Sequence, residues 1–96
     1  MNETQFLEFL TGLAKIVKPM HRNTVTVPDM DVGFKELDID SLDTLMLVVF
    51  TCELFGIDEE TGKTCNPANA QQLWDFVQKH KTREVTDVQA ALEACA

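Results

Sequence analysis

The segment that most limits the fold is SLDTLMLVVFTCELF at residues 41–55, which predicts a helix that is apolar on nearly every side. Only Asp43 and Glu53 carry charge within it. Asp40 is a suitable N-cap for this helix, and Gly56 is a suitable residue to end it. Because such a helix is stable only when other elements cover much of its surface, the rest of the chain must supply packing partners.

A first helix is predicted over about residues 3–17. Asn2 can cap it, with Gln5 three residues later in the capping-box position, and Pro19 ends it. Apolar side chains recur along it at helical spacing, namely Phe6, Phe9, Leu10, Leu13, Ile16 and Val17. We therefore expect one side of this helix to lie in the core.

A third helix is predicted in NPANAQQLWDFVQKHK at residues 66–81. Asn66 is its expected cap and Pro67 its first helical residue. Three cationic side chains at 79–81 suit its C-terminal end. The side chains expected to face inward are Leu73, Trp74 and Val77. The polar stretch before it, residues 57–65, predicts a loop or a single turn.

The pattern predicts a last short helix over about residues 87–95. It begins at the capping box formed by Thr86 and Gln89. Its apolar side consists of Val88, Ala91, Leu92 and Cys95.

The long connection at residues 18–39 lacks helical periodicity. TVTVP at 24–28 alternates like a strand, but no partner run is evident. A connection of this length is usually functional, and Phe34 and Leu37 are its expected anchors to the core. Together these segments predict an all-α fold in one domain of residues 1–96. Helices of this number and length are expected to pack as a small antiparallel bundle.

Charge and cysteine content restrict the partners. The net charge of −8 argues against nucleic acid or an anionic membrane, and it fits a basic partner protein or simple solubility. The three cysteines are odd in number and have neither disulfide-framework nor zinc-site spacing. The N-terminus has no basic region of a signal peptide. We therefore expect a cytoplasmic monomer with reduced thiols.

Catalytic and metal motifs are weak throughout the chain. GKT at 62–64 has the wrong spacing and no preceding strand for a phosphate loop, so a solvated turn is the better interpretation. The acidic DMD and DID segments do not continue into a calcium loop, because Leu42 stands where a ligand should follow. His21 and His80 lack partners for catalysis, and Ser41 has no nucleophile elbow. We expect no catalytic residue and no metal site.

GFKELDIDSLDTLMLV at residues 33–48 resembles the attachment region of the acyl carrier proteins. Asp40, Ser41 and Leu42 match the family's Asp-Ser-Leu motif, and Phe34 and Leu37 match the segment before it. Asp43 and Thr44 continue the match. The three-residue motif alone is common by chance, so the specificity comes from its combination with chain length, helix order, the long first loop and the acidic charge. The resemblance covers about residues 3–80.

The resemblance implies a 4′-phosphopantetheine arm on Ser41, attached by a phosphopantetheinyl transferase. The arm's thiol would carry acyl groups as thioesters between enzymes of a fatty-acid or polyketide-type pathway, and the protein itself would be non-catalytic. The implied fold is an acyl-carrier-like antiparallel four-helix bundle with a long first loop. Residues 82–96 would then be a C-terminal helical extension, although both 67–77 and 86–94 look like the family's last helix.

Two alternatives stay open at this point. An aminoacyl or peptidyl carrier would use the same arm, but Asp-Ser-Leu with Asp40 favours acyl cargo. An acidic helical interaction module that never carries a prosthetic group is the alternative of a different class.

Two departures from the family pattern concern the neighbourhood of Ser41. Asp38 stands where the family has glycine, and aspartate tolerates left-handed backbone angles. The expected outer face of the 41–55 helix carries Met46, Val49 and Cys52 where many members have carboxylates, which favours a specialised pathway. If exposed, this face is expected to bind partners with basic and partly apolar docking surfaces. The alternative is that it packs under a neighbouring helix. The predicted contact residues are Asp40, Leu42, Asp43, Met46, Val49 and Glu53.

Overall fold

Helices make up the regular structure of the chain. The computed structural model describes residues 1–17, 27–37 and 39–95, with Cys95 described by its backbone alone. In these ranges there are five α-helices, one 3-10 helix and no β-strand, which confirms the all-α class. The elements are α1 (Glu3–Val17), the 3-10 helix (Phe34–Leu37), α2 (Ser41–Phe55), α3 (Glu59–Gly62), α4 (Ala70–His80) and α5 (Val88–Cys95). The expectations for Pro19, His21, the strand-like residues 24–26 and Asp38 lie outside the described residues.

The first helix has the predicted bounds and cap. The Asn2 side chain accepts a hydrogen bond from the Gln5 amide at 2.8 Å, and the Gln5 side chain accepts one from the Asn2 amide at 2.9 Å. Residues of the predicted apolar stripe, Phe6, Phe9, Leu10 and Leu13, are fully buried, whereas Ile16 and Val17 are half-buried. This face of α1 packs against α2, α4 and α5.

The apolar helix α2 contacts α1, α3 and α4. Its buried side chains include Leu47, Val48 and Phe55. The Thr51 hydroxyl is also buried, and it donates a hydrogen bond to the Leu47 carbonyl at 2.6 Å, which satisfies it within the helix. The neighbours that the sequence requires for α2 are therefore present on its inner side.

The C-terminal end of α2 is held by a distant segment. Gly56 ends the helix in the left-handed region with φ of 69°. The Thr82 hydroxyl donates to the Gly56 carbonyl at 2.6 Å, and the Arg83 Nε donates to the Leu54 carbonyl at 2.8 Å. The Thr82 amide donates to the Phe55 carbonyl at 3.0 Å. The linker between α4 and α5 thereby satisfies carbonyls that a helix end leaves without intrahelical partners.

Gly56→Ala is expected to destabilise the fold by about 2 kcal/mol. The left-handed backbone angle strains any L side chain, and a Cβ at this position would collide with the Thr82 hydroxyl. Urea unfolding can be followed by fluorescence of Trp74, the single tryptophan. Gly33→Ala is the matched control, because the nearest atom to its new Cβ is 3.8 Å away. Equal unfolding midpoints for the two variants would contradict the prediction.

The start of α4 differs from the prediction of an Asn66 cap with Pro67 as the first helical residue. The helix begins at Ala70 and is capped by Asn69, whose side chain accepts a hydrogen bond from the Gln72 amide at 2.9 Å. Leu73 and Val77 are buried as predicted, and Trp74 is half-buried.

The late start of α4 follows because the residues around its beginning pair with the segment between α1 and α2. The Phe34 amide donates to the Ala68 carbonyl at 2.8 Å, and Gly33 and Asn69 form an isolated antiparallel bridge. The Gln71 amide donates to the Met30 carbonyl at 2.9 Å. Residues 67–69 therefore stay outside the helix and hold the segment that leads to Ser41.

The last helix, α5, is present near the predicted bounds, but its cap is Asp87 and not Thr86. The Asp87 carboxylate accepts a hydrogen bond from the Ala90 amide at 3.2 Å. The helix packs mainly on α1. There Ala91 is buried, and the Leu92 side chain lies directly over Gly12, leaving no room for a Cβ. This C-terminal segment is thus part of the packed structure.

Candidate functional site

Ser41 is the first residue of α2 and is exposed to solvent. The residue before it, Asp40, is the N-cap, and its carboxylate accepts a hydrogen bond from the Asp43 amide at 2.9 Å. The Asp43 carboxylate accepts one from the Asp40 amide at 3.4 Å, which completes a capping box. The cap predicted at Asp40 is confirmed, and Asp43 has a reciprocal capping role.

The chain is also anchored just before Ser41. Ile39 and Phe34 are buried in the core, and the Ile39 amide donates to the Phe34 carbonyl at 3.0 Å. One turn into the helix, the Thr44 hydroxyl donates to the Asp40 carbonyl at 2.9 Å. The backbone at Ser41 is therefore fixed on both sides, while the side chain faces solvent.

Two electrostatic effects oppose each other at Ser41. The first turn of a helix presents amides and the positive end of the helix dipole, which favour a phosphate group. The carboxylates of Asp40 and Asp43 place negative charge in the same turn and disfavour one. The capping box accounts for both carboxylates through their hydrogen bonds to the backbone.

Asp40→Ala is expected to lower the free energy of unfolding by about 1 kcal/mol, because it removes an N-cap. Asp40→Asn is the matched variant, since asparagine caps as well as aspartate but carries no charge, and it should unfold close to wild type. Urea unfolding of both variants measures the capping contribution separately from the charge. A loss in Asp40→Asn as large as in Asp40→Ala would contradict the capping role.

The outer face of α2 is an exposed apolar patch. Its exposed fractions are 67% for Leu42, 53% for Leu45, 37% for Met46 and 42% for Val49. We define the apolar patch as these four residues. In the described part of the chain Met46 and Val49 are exposed, which agrees with the first of the two alternatives left open for this face, and Glu53 is exposed at the end of the same face.

Two details of this face differ from the prediction. Cys52, expected on the outer face, is only 4% exposed and points toward α3, where a Cβ on Gly62 would meet its sulfur at 3.2 Å. Leu45 was not predicted but is among the most exposed residues of the patch. Residue type gives no signal for either position, because apolar side chains occur all around α2.

A cavity of about 440 Å³ lies between α2 and α3. Its apolar wall includes Leu45 and Val49, which also belong to the apolar patch. Leu45 is one helical turn from Ser41, so the cavity and the serine lie on neighbouring parts of the same helix. The apolar wall is completed by Val48, Cys52 and Ile57, and charged side chains of Glu53, Glu59 and Lys63 also line the cavity. No pattern in the sequence predicts this space, because it depends on how α3 sits against α2.

The thiols near the cavity are protonated at neutral pH. Burial, and then the nearby Asp58 carboxylate, raise the pKa of Cys52. Burial, and then the neighbouring Cys52, raise the pKa of Cys65 to about 11. Neither cysteine is therefore an activated nucleophile.

The remaining motifs have structural roles. Gly62 ends the single-turn helix α3, and Lys63 after it forms an exposed ion pair with Glu60, so GKT is a turn. His80 closes α4 with its ring 4.6 Å from that of Phe76. Among the residues at 1–17, 27–37 and 39–95, no group of His, Cys, Asp and Glu side chains is arranged to hold a metal ion.

No protein-family model, curated protein or solved structure matches this chain. Within the described part of the chain, every helix is too short or too polar to cross a membrane.

Proposed function

We propose that this protein is an acyl carrier protein with a 4′-phosphopantetheine arm on Ser41. The arm would be added by a phosphopantetheinyl transferase and would carry acyl groups as thioesters between enzymes. The proposal includes the family's antiparallel four-helix bundle, formed by α1 to α4, with α5 as an addition. It assigns no catalysis to the chain and takes it to be a cytoplasmic monomer.

The observation that carries this proposal is the presentation of Ser41. A serine at the first turn of α2, exposed in the middle of a capping box, has its backbone fixed and its hydroxyl accessible. A modifying enzyme needs both properties, since a fixed backbone presents the hydroxyl in one orientation. The Asp-Ser-Leu motif of the family falls on this residue.

The cavity between α2 and α3 supports acyl cargo. Its wall is mostly apolar, and it begins about one turn from Ser41. An arm attached at Ser41 that folds back along α2 would bring a bound alkyl chain to this space. Burial of that chain would remove apolar surface from water and shield the thioester during transfer.

The surface around Ser41 is both apolar and acidic, and it favours partners whose surface is complementary in both respects. The apolar patch is bordered by the carboxylates of Asp40, Asp43 and Glu53. A net charge of −8 disfavours a second copy of this chain as the occupant. The complementary surface is an apolar groove edged by basic residues, on the transferase or on an acyl-transferring enzyme. A dedicated contact of this kind fits a specialised fatty-acid or polyketide-type pathway.

The apolar patch also favours a second candidate function. An interaction module that never carries an arm would need an exposed apolar patch on a stable helical scaffold, and this chain has both. The test is intact-mass measurement of the purified protein after incubation with coenzyme A and a phosphopantetheinyl transferase. Addition of one arm at Ser41 supports the carrier, and absence of any addition supports the module.

A further inference from the structure

Two cysteines adjoin Gly62, the last residue of α3: Cys52 through its side chain and Cys65 through its backbone amide. Cys52 is buried in α2, and its sulfur is 3.2 Å from the position that a Cβ on Gly62 would occupy. The Cys65 amide donates a hydrogen bond to the Gly62 carbonyl at 3.0 Å. Cys65 is half-buried and packs against the same core. Both cysteines therefore adjoin Gly62 from opposite directions along the chain.

The electrostatics agree with this proximity. The pKa of Cys65 is raised by burial and, next, by Cys52, which agrees with the two cysteines being neighbours. Neither thiol has a chemical role in the function proposed for Ser41, although the Cys52 side chain lines the cavity. The pair is thus a cluster of two redox-capable groups without an assigned role.

The element between the two cysteines can move at low cost. The helix α3 is a single turn and contains no buried residue. A disulfide needs its two Cα atoms within about 4.4–6.8 Å of each other. A short, exposed element such as α3 can adjust to that spacing without disturbing the core formed by α1, α2 and α4.

We propose that Cys52 and Cys65 form a reversible disulfide that fixes the end of α3 against α2 and so controls the cavity between them. Because Cys52 and Gly62 both line the cavity, a covalent link at this point sets the position of its wall. This proposal goes beyond the carrier function and holds whether or not Ser41 carries an arm.

The chemistry is thiol–disulfide exchange with a low-molecular-weight disulfide such as oxidised glutathione. Cys65 is the more accessible thiol. Most of it is protonated at neutral pH, and its small deprotonated fraction attacks one sulfur of glutathione disulfide, which releases one glutathione thiolate and leaves a mixed disulfide. Cys52 then loses its proton and attacks the Cys65 sulfur, which releases the second glutathione. The two cysteines are oxidised by two electrons, and the two released thiolates take up the two protons.

The experiment uses the full chain without the arm, equilibrated in glutathione buffers of increasing oxidised fraction and quenched with acid. The intact mass should fall by two hydrogen atoms, and peptide mapping should find Cys52 linked to Cys65. Dithiothreitol should reverse the change. Cys95→Ser is the matched control and should oxidise as wild type does, whereas Cys52→Ser and Cys65→Ser should not form the link.

A second readout tests the effect on the cavity. Binding of the apolar dye 1-anilinonaphthalene-8-sulfonate should change at least about twofold between reduced and oxidised wild type, as expected for an altered apolar site. The same change is expected in Cys95→Ser and not in Cys65→Ser. Far-UV circular dichroism of both redox states checks that the helices persist. If a variant fails to fold, peptide mapping of oxidised wild type still shows whether Cys52 is linked to Cys65. Mixed glutathione adducts alone, a link to Cys95, or a link between two copies would overturn the proposal.

Discussion

Ser41→Ala is expected to abolish addition of the phosphopantetheine arm completely. Ser41 is the only serine in the chain, so a phosphodiester on a serine hydroxyl has no other place to form. The substitution leaves the fold intact, because Asp40 and not Ser41 provides the cap, and alanine is the best helix former. Intact-mass measurement after incubation with coenzyme A and a transferase should show one arm on wild type and none on the variant.

The matched control for this loss is Thr86→Ala. Thr86 is also an exposed hydroxyl near the start of a helix, and its removal should leave arm addition unchanged. Circular dichroism of all three proteins checks that each is folded. Wild type that stays unmodified by two unrelated transferases while folded would contradict the carrier function, and an arm on Ser41→Ala would contradict the assignment of the site.

The parts of the fold that follow from short-range interactions are predictable from the sequence. The caps at Asn2 and Asp40 and the stop at Gly56 involve residues within one turn, and the structure has all three. Asn66 and Pro67 form an equally good local signal, but residues 67–69 pair with the distant segment at 30–34. That long-range pairing overrides the local preference and delays α4 to Ala70.

In the candidate site, too, the features set by short-range interactions are predictable from the sequence and those set by long-range packing are not. Exposure of Ser41 follows from its place directly after a cap, which is a local property. The orientation of α2 does not follow, because apolar residues surround it and its neighbours decide which of them are covered. Cys52 therefore proved buried and Leu45 exposed, and neither the cavity nor the contacts of Thr82 and Arg83 with α2 could be predicted.

The double substitution Met46→Glu and Val49→Glu is expected to lower kcat/KM for arm addition by about tenfold or more. Both residues are exposed, so the new carboxylates remain solvated and the fold should persist. In the complex with the transferase, however, an apolar groove would have to remove water from two charges, which costs binding free energy. A tenfold loss corresponds to about 1.4 kcal/mol, less than one buried apolar side chain contributes. Transferase kinetics on wild type and the double variant give the ratio.

A control for charge alone separates loss of apolar contact from electrostatic repulsion. Gln78→Glu with Gln89→Glu adds the same two negative charges at exposed positions on α4 and α5, away from the apolar patch. This control should retain wild-type kinetics. Raising the ionic strength screens charge repulsion but does not restore a lost apolar contact, so salt should not rescue the Met46 and Val49 variant. Equal losses in both double variants, or full rescue by salt, would mean that the loss comes from the added negative charge and that apolar contact through the patch does not contribute.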